Sequence, residues 1–211
     1  MVNDASNTQS NSMVLARDVQ ELQGPNFLSD TNINRFFRHL SNLVGGGASI
    51  QFVDVATTQL IAHCPFLSHE RIDLTSLDIG LFAVNDNENH EAVGGTHWSL
   101  LVFDGTQQPP RFVHHDSSGG RNIEATNRLA TSLRRLYPGM EEDVVQAPTP
   151  QQKNGWDYGV YVMAIARAIM CWWSEGAIDS WVDRLLTEVD SQLREDLVRL
   201  LMGEIEFDDL V

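Results

Sequence analysis

Gln151 to Trp173 reads QQKNGWDYGVYVMAIARAIMCWW, a polar, glycine-punctuated turn followed by the most apolar helix-compatible run in the chain. Val160, Tyr161, Met163, Ala164, Ile165, Ala168, Ile169, Met170 and Trp172 leave Arg167 as the sole charge between Asp157 and Trp173. A helix here is apolar almost all round, so it belongs in the middle of a fold, covered from several sides. It is too short and too interrupted for a membrane span. A side chain on its first turn would sit on rigid scaffold beside unpaired backbone N–H groups and the positive end of the helix dipole. Tyr158 holds that position.

Working outward, Ile79–Val84, Trp98–Phe103 and Arg111–His115 are three strand candidates that together propose a sheet, with Val144–Ala147 as a short edge strand ahead of Pro148 and Pro150. Ile33, Phe36, Phe37 and Leu40 share one face of a helix that Ser29 or Asp30 can cap and that Gly45-Gly46-Gly47 ends. Thr57 or Thr58 can cap a short helix stopped by Pro65, and Val14–Leu22 suits either a strand or a short helix. Ile123–Tyr137 is an amphipathic helix stopped by Pro138-Gly139, with Arg128, Arg134 and Arg135 on its solvated side. Two further short helices are expected over Ala177–Leu186 and Gln192–Met202. Residues 1–12 have almost nothing to bury and read as a tail, leaving 13–211 as one domain.

A net charge of −15 disfavours nonspecific attraction to nucleic acid or anionic membrane, so neither is expected as a partner. Cys64 and Cys171 make no disulfide framework, and the start of the chain lacks the regions of a signal peptide. A cytoplasmic or nuclear setting is expected.

Three separated pieces carry chemistry: GGTHWSLLVF around His97, FVHHDSS around Asp116, and QQKNGWDYG around Gln152 and Tyr158. A histidine at a strand start can accept a proton, a carboxylate after a neighbouring strand can orient it, and a glutamine amide can donate to a developing oxyanion. What this set lacks is a nucleophile, because a phenol with a pKa of about 10 stays neutral near pH 7. Three other readings stay open on the residues alone. His97 can be structural, and His97, His114, His115 and Asp116 have the right chemistry for zinc, although adjacent strand histidines point opposite ways. Ser117 or Ser118 can be a hydroxyl nucleophile, outside any G-x-S-x-G elbow.

The order and wording of these pieces resemble the sentrin/SUMO-specific proteases, cysteine proteases of ubiquitin-like modifiers. The likeness is greatest to the deneddylase branch, which acts on the modifier carried by cullins. It runs from about Phe27 to Trp173, through NFLSD, FVDVATTQLI, LFAVNDNENHEAVGGTHWSLLVF, FVHHDSS and the QxxxGWD-x-GVYV region. The resemblance implies an α+β papain-like fold, with a central sheet and a buried helix starting near Tyr158, and neither metal nor cofactor. It makes His97 the general base, Asp116 its orienting partner and Gln152 the oxyanion donor. Phe27 and Trp98 would flank the channel for the modifier's diglycine tail. Asp30, Asn85, Asn87, Gly94 and Gly95 would meet the modifier's surface, with the loop from Asn85 to Gly95 closing over the tail.

The family's catalytic cysteine falls at Tyr158. Whether introduced or natural, that residue implies a chain without peptidase chemistry that still binds its modifier, or an interaction scaffold that kept only the fold. Cys64 precedes Pro65 in a different segment, and Cys171 lies about 3.6 helical turns beyond position 158, so neither replaces the missing thiol.

Overall fold

The computed structural model describes residues 16–64, 66, 72–89, 94–137, 139–176, 181–184 and 193–202. The expected tail at 1–12, the acidic stretch at 204–209 and positions 90–93 of the polar loop lie outside these residues. A helical stretch at 16–22, one of the two forms the sequence allowed, is followed by α1 (Asp30–Val44), β1 (Ile50–Val53) and α2 (Val55–His63). A single 3-10 turn over Leu74–Ser76 leads to β2 (Ile79–Asn85), β3 (Trp98–Asp104) and β4 (Arg111–His115). Then come α3 (Ile123–Arg134), β5 (Val144–Gln146), α4 (Tyr158–Ser174), α5 (Trp181–Arg184) and α6 (Leu193–Leu201).

The strands form one sheet in the order β1-β2-β3-β4-β5. The outer pairs β1/β2 and β4/β5 are parallel, whereas β3 runs antiparallel to both of its neighbours. This arrangement brings the C-terminal ends of β1, β2, β4 and β5 and the N-terminal end of β3 to one end of the sheet. His97, Asp116 and Asn85 are therefore neighbours in space although they come from three segments.

β2 and β3 are buried along their whole length because both sheet faces are covered. Ile79, Leu81, Ala83, Leu100 and Val102 face a core shared with Ile33, Phe36, Phe37 and Leu40 of α1 and with α4. Phe82, Val84, Leu101 and Phe103 face the opposite core, with Ile61 of α2 and Leu129 and Leu133 of α3. The period-two alternation sends successive residues to different cores, which explains a continuous apolar run such as LFAV. The long apolar helix is central: α4 buries Val160, Val162, Met163, Ile165, Ala166, Ile169, Met170 and Trp172. Gly159 lets it approach closely, since a Cβ there would stand 2.9 Å from Leu28 Cβ.

Two local expectations need correction. Helix α2 is capped by Asp54, whose Oδ1 accepts from Ala56 N at 2.9 Å and Thr57 N at 3.3 Å, while Thr57 and Thr58 lie inside the helix. Asp54 directly follows β1, so its carboxylate meets the N–H groups of the first turn before the chain reaches Thr57. Asp54→Ala is expected to lower stability by about 1 kcal/mol, the usual cost of losing such a cap, measured as the shift in urea midpoint. The arginine face of α3 is less solvated than its spacing suggests: the Arg134 guanidinium lies over the Phe112 ring at 5.6 Å and its Nε donates to Glu141 O.

Candidate functional site

At the shared sheet end, the side chain of His97 is fully buried and its Nε2 lies 2.7 Å from Asp116 Oδ1. Since a carboxylate only accepts, Nε2 donates in this bond, and Nδ1 is buried without a hydrogen-bond partner among the described residues. Asp116 also accepts from Ser118 N at 2.8 Å on Oδ1 and from Asn122 N at 2.9 Å on Oδ2. Burial alone would raise this carboxyl, but the bonds from His97, Asn122 and Ser118 outweigh it and hold the group below the usual aspartate value. Asn122, buried behind it, donates to Val84 O and Ser99 Oγ, fixing the loop after β4 to the ends of β2 and β3.

Tyr158, the first residue of α4, points into this pair. Its ring packs edge-on against the His97 imidazole with centroids 4.3 Å apart and stacks on Phe27 at 6.0 Å. The phenol is 6% exposed, so it fills the space beside the histidine.

Gln152 is held on its other side. Its backbone N–H donates to Ser117 O at 3.0 Å, its Oε1 accepts from Ser117 Oγ at 2.7 Å, and its Nε2 donates to Asn154 O at 2.6 Å. The amide orientation is thereby fixed, with one Nε2 hydrogen committed and the second without a partner among the described residues. Gln151 completes the zipper, donating to Asp116 O and accepting from Gly119 N. Ser117 is thus engaged as a donor to Gln152, and the backbone of Ser118 serves the Asp116 carboxylate.

His114 and His115 diverge as alternate strand residues do. His114 Nδ1 donates to Gln146 Oε1, and its Nε2 accepts from Thr126 Oγ1. His115 Nδ1 donates to Thr149 Oγ1, while its Nε2 accepts from Trp181 Nε1. Burial pushes the His114 imidazole down and the His115 imidazole to about 3, so both are neutral props of the fold. Among the described residues, no group of three or more His, Cys, Asp or Glu is placed to hold a metal ion.

A cleft of about 600 Å³ opens from His97 and Trp98 along the sheet end. Phe27, Asp30, Asn85, Asn87, Gly94 and Gly95 all line it. Trp98 is anchored by its indole N–H on Leu28 O at 2.9 Å, whereas Phe27 next door is 54% exposed. Gly95 has φ of +93°, and a Cβ there would collide with Asn85 Oδ1, so the chain can return past Asn85 only as glycine.

The curated protein NEDD8-specific protease 1 of Arabidopsis thaliana is 33% identical over 204 residues, covering 90% of this chain and 89% of its own length. The chain belongs to the sentrin-specific, Ulp1-like family of papain-type cysteine proteases. Human Sentrin-specific protease 8 is 32% identical over 170 residues, covering 75% of this chain and 77% of its own. Among solved structures, the Xanthomonas campestris effector XopD bound to ubiquitin superposes with a TM-score of 0.66 at 17% identity, over 85% of this chain and 91% of that one. The Ulp1 protease domain in complex with SMT3, the yeast ortholog of SUMO, gives 0.59 at 18% identity, over 89% and 82%. At such identities the structures speak for the fold alone, and they establish it as that of the Ulp1-like proteases. No protein-family model matches the chain. Among the described residues no helix is long and apolar enough to cross a membrane.

Within this Ulp1-like frame, several residues that position the site have no motif to announce them. Asp86 accepts from Thr96 N at 2.5 Å, Thr96 Oγ1 at 2.7 Å and His97 N at 3.1 Å, so it pins the backbone that presents His97. Burial opposes ionisation of this carboxyl, yet the Thr96 and His97 bonds and nearby Arg121 keep it below the usual value. Its place directly after a buried strand, ten residues before Thr96, was the available signal. Asn122 lies a few residues beyond FVHHDSS and Gln151 opens the QQKNGWDYG piece, neither with a spacing that distinguishes it.

Proposed function

We propose that this chain is a deneddylase-type member of its family that has lost cleavage and kept noncovalent binding of a NEDD8-type modifier. The observation that carries this reading is Tyr158, buried against His97 at the start of α4 while the His97–Asp116 pair and the held Gln152 amide remain assembled. In a cleaving enzyme of this kind, a thiolate formed at position 158 by proton transfer to His97 would attack the carbonyl of the last glycine. The leaving amine would depart with that proton, and water would hydrolyse the resulting thioester. His97 would take and return the proton, Asp116 would hold its ring, and Gln152 would donate to the oxyanion. A phenol at that position offers a bulkier and far less ionised oxygen, and the two cysteines lie elsewhere, on α4 beyond its third turn and at the end of α2.

Phe27 and Trp98 would flank the modifier's tail. Asp30, Asn85, Asn87, Gly94 and Gly95 would meet its folded body, with Asp30 offering a carboxylate to a basic group. The similarity to the Arabidopsis NEDD8-specific protease supports this modifier over others of its class. We place the activity on one domain spanning 13–211, acting in the cytoplasm or nucleus.

The test is calorimetric titration of the chain with a mature NEDD8-type modifier, alongside the same modifier lacking its diglycine tail. The mature form is expected to bind without being cleaved, and Asp30→Arg to weaken binding about tenfold, the value of one lost charge pair at an interface. Equal binding of both forms would mean that Tyr158 closes the tail channel and the folded body alone is recognised. Failure to bind any diglycine-ending modifier, by a chain that melts cooperatively, would overturn the reading in favour of an interaction scaffold.

A further inference from the structure

Asp157 occupies the N-cap of α4, where an aspartate ordinarily turns its carboxylate onto the exposed N–H groups of the first turn. Here no side chain caps the helix. The carboxylate is engaged elsewhere: Oδ1 accepts from Arg194 Nε at 2.9 Å and Nη2 at 2.6 Å, and Oδ2 accepts from Asn154 Nδ2 at 2.5 Å. Arg194 comes from α6, and its side chain is only 14% exposed. Its Nη1 donates to Glu21 O at 3.0 Å and Leu22 O at 3.2 Å, and its Nη2 also reaches Asn26 O and Trp156 O. One guanidinium therefore gathers the segment leading to Phe27, the loop before α4 and the helix α6.

We propose that Arg194 is a positioning residue of the site: by drawing the Asp157 carboxylate to itself, it keeps that group off the first turn of α4 and neutralises its charge beside position 158. The inference rests on reading position 158 as the reacting position. A nucleophilic anion at a helix start is favoured by open N–H groups and by the dipole. A carboxylate in the cap would consume those donors and repel the anion. The Asp157 charge does reach into the helix, since burial and then Asp157 hold the Tyr161 phenol above its ordinary value. Among the described residues, His97 with Asp116 behind it also faces position 158, and the carboxylates Glu21 and Asp30 line the cleft together with Phe27.

The experiment uses the full chain carrying Tyr158→Cys and follows alkylation of the new thiol by iodoacetamide against pH, resolved from Cys64 and Cys171 by peptide mass spectrometry. Adding Arg194→Ala is expected to raise the apparent pKa of that thiol by about one unit, slowing alkylation about tenfold at pH values below both. Adding Asp157→Asn to that variant should restore the rate to within about twofold, because the stranded charge is gone. Asp157→Asn with Arg194 retained should move the profile to lower pH. An unchanged profile in an Arg194→Ala chain that melts like its parent would overturn the proposal. So would a shift that Asp157→Asn fails to repair, which would make Arg194 a tie between segments only. If Arg194→Ala does not fold, the Asp157→Asn arm decides, and a profile that stays or rises sinks the idea. No modifier enters the assay, so its result and that of the binding titration stand independently.

Discussion

Tyr158→Cys is expected to raise cleavage of a C-terminally extended NEDD8-type precursor on the order of 10³-fold or more over the unsubstituted chain. The expectation is large because, on the function proposed above, the nucleophile is the part the site lacks. His97 Nε2 and Asp116 Oδ1 are already 2.7 Å apart, and the Gln152 amide is oriented by Ser117 and Asn154. His97 Nδ1, buried without a partner beside the tyrosine ring, would gain a thiol to pair with. Adding His97→Ala should return the rate to baseline, and appreciable cleavage by the Tyr158 chain that survives His97→Ala would refute the assignment. The same substitution is expected to cost stability. Removing a ring packed on His97 and Phe27 leaves a void, and large-to-small changes at buried aromatic positions cost about 2–4 kcal/mol. Gain of activity with a lowered melting temperature is thus the expected signature.

Asp116→Ala is expected to destabilise the fold by about 3 kcal/mol at neutral pH, read by urea denaturation. It leaves His97 Nε2, Ser118 N and Asn122 N facing a position with no acceptor, and buried unpaired donors carry their full desolvation penalty. The sign of the pH dependence follows from the lowered carboxyl. A group whose folded pKa is depressed stabilises the native state fully above its unfolded value near 4, and this contribution is lost as pH falls through the lower folded value. The gap between the unsubstituted chain and Asp116→Ala should therefore be constant from pH 5 to 8 and narrow only in strongly acid solution. A gap that instead closed well above pH 5 would refute this assignment to the Asp116 carboxylate.

The parts of this fold that could be read from residues were those where one interaction dominates. LFAV at 81–84 has no choice but a doubly covered strand, and the helix at 158–174 is apolar enough to be central wherever it lies. His97 and Asp116 were visible because each flanks such a strand, and the antiparallel register between β3 and β4 then makes them adjacent. The α2 cap was missed because Asp54 sits at the junction of a strand and a helix, where strand length decides which polar residue becomes the cap. Asp86 and Arg194 were hard to read for a different reason. Most of their partners are backbone N–H and C=O groups, which every residue carries, and their side-chain partners Thr96 and Asp157 lie 10 and 37 positions away.

The reach of Arg194 also bears on how the molecule is made. Its bond to Leu22 O spans 172 positions of chain, so a ribosome adding about 5–20 residues per second exposes the first wall of the cleft roughly 10–30 s before its fastening arrives. Trp98, 70 positions beyond Leu28, is made well before then, but the segment bearing Phe27 and Leu28 still lacks Arg194 as its second anchor. The sheet can form vectorially, strand by strand, but the wall of the cleft that bears Phe27 receives its fastening from α6 last.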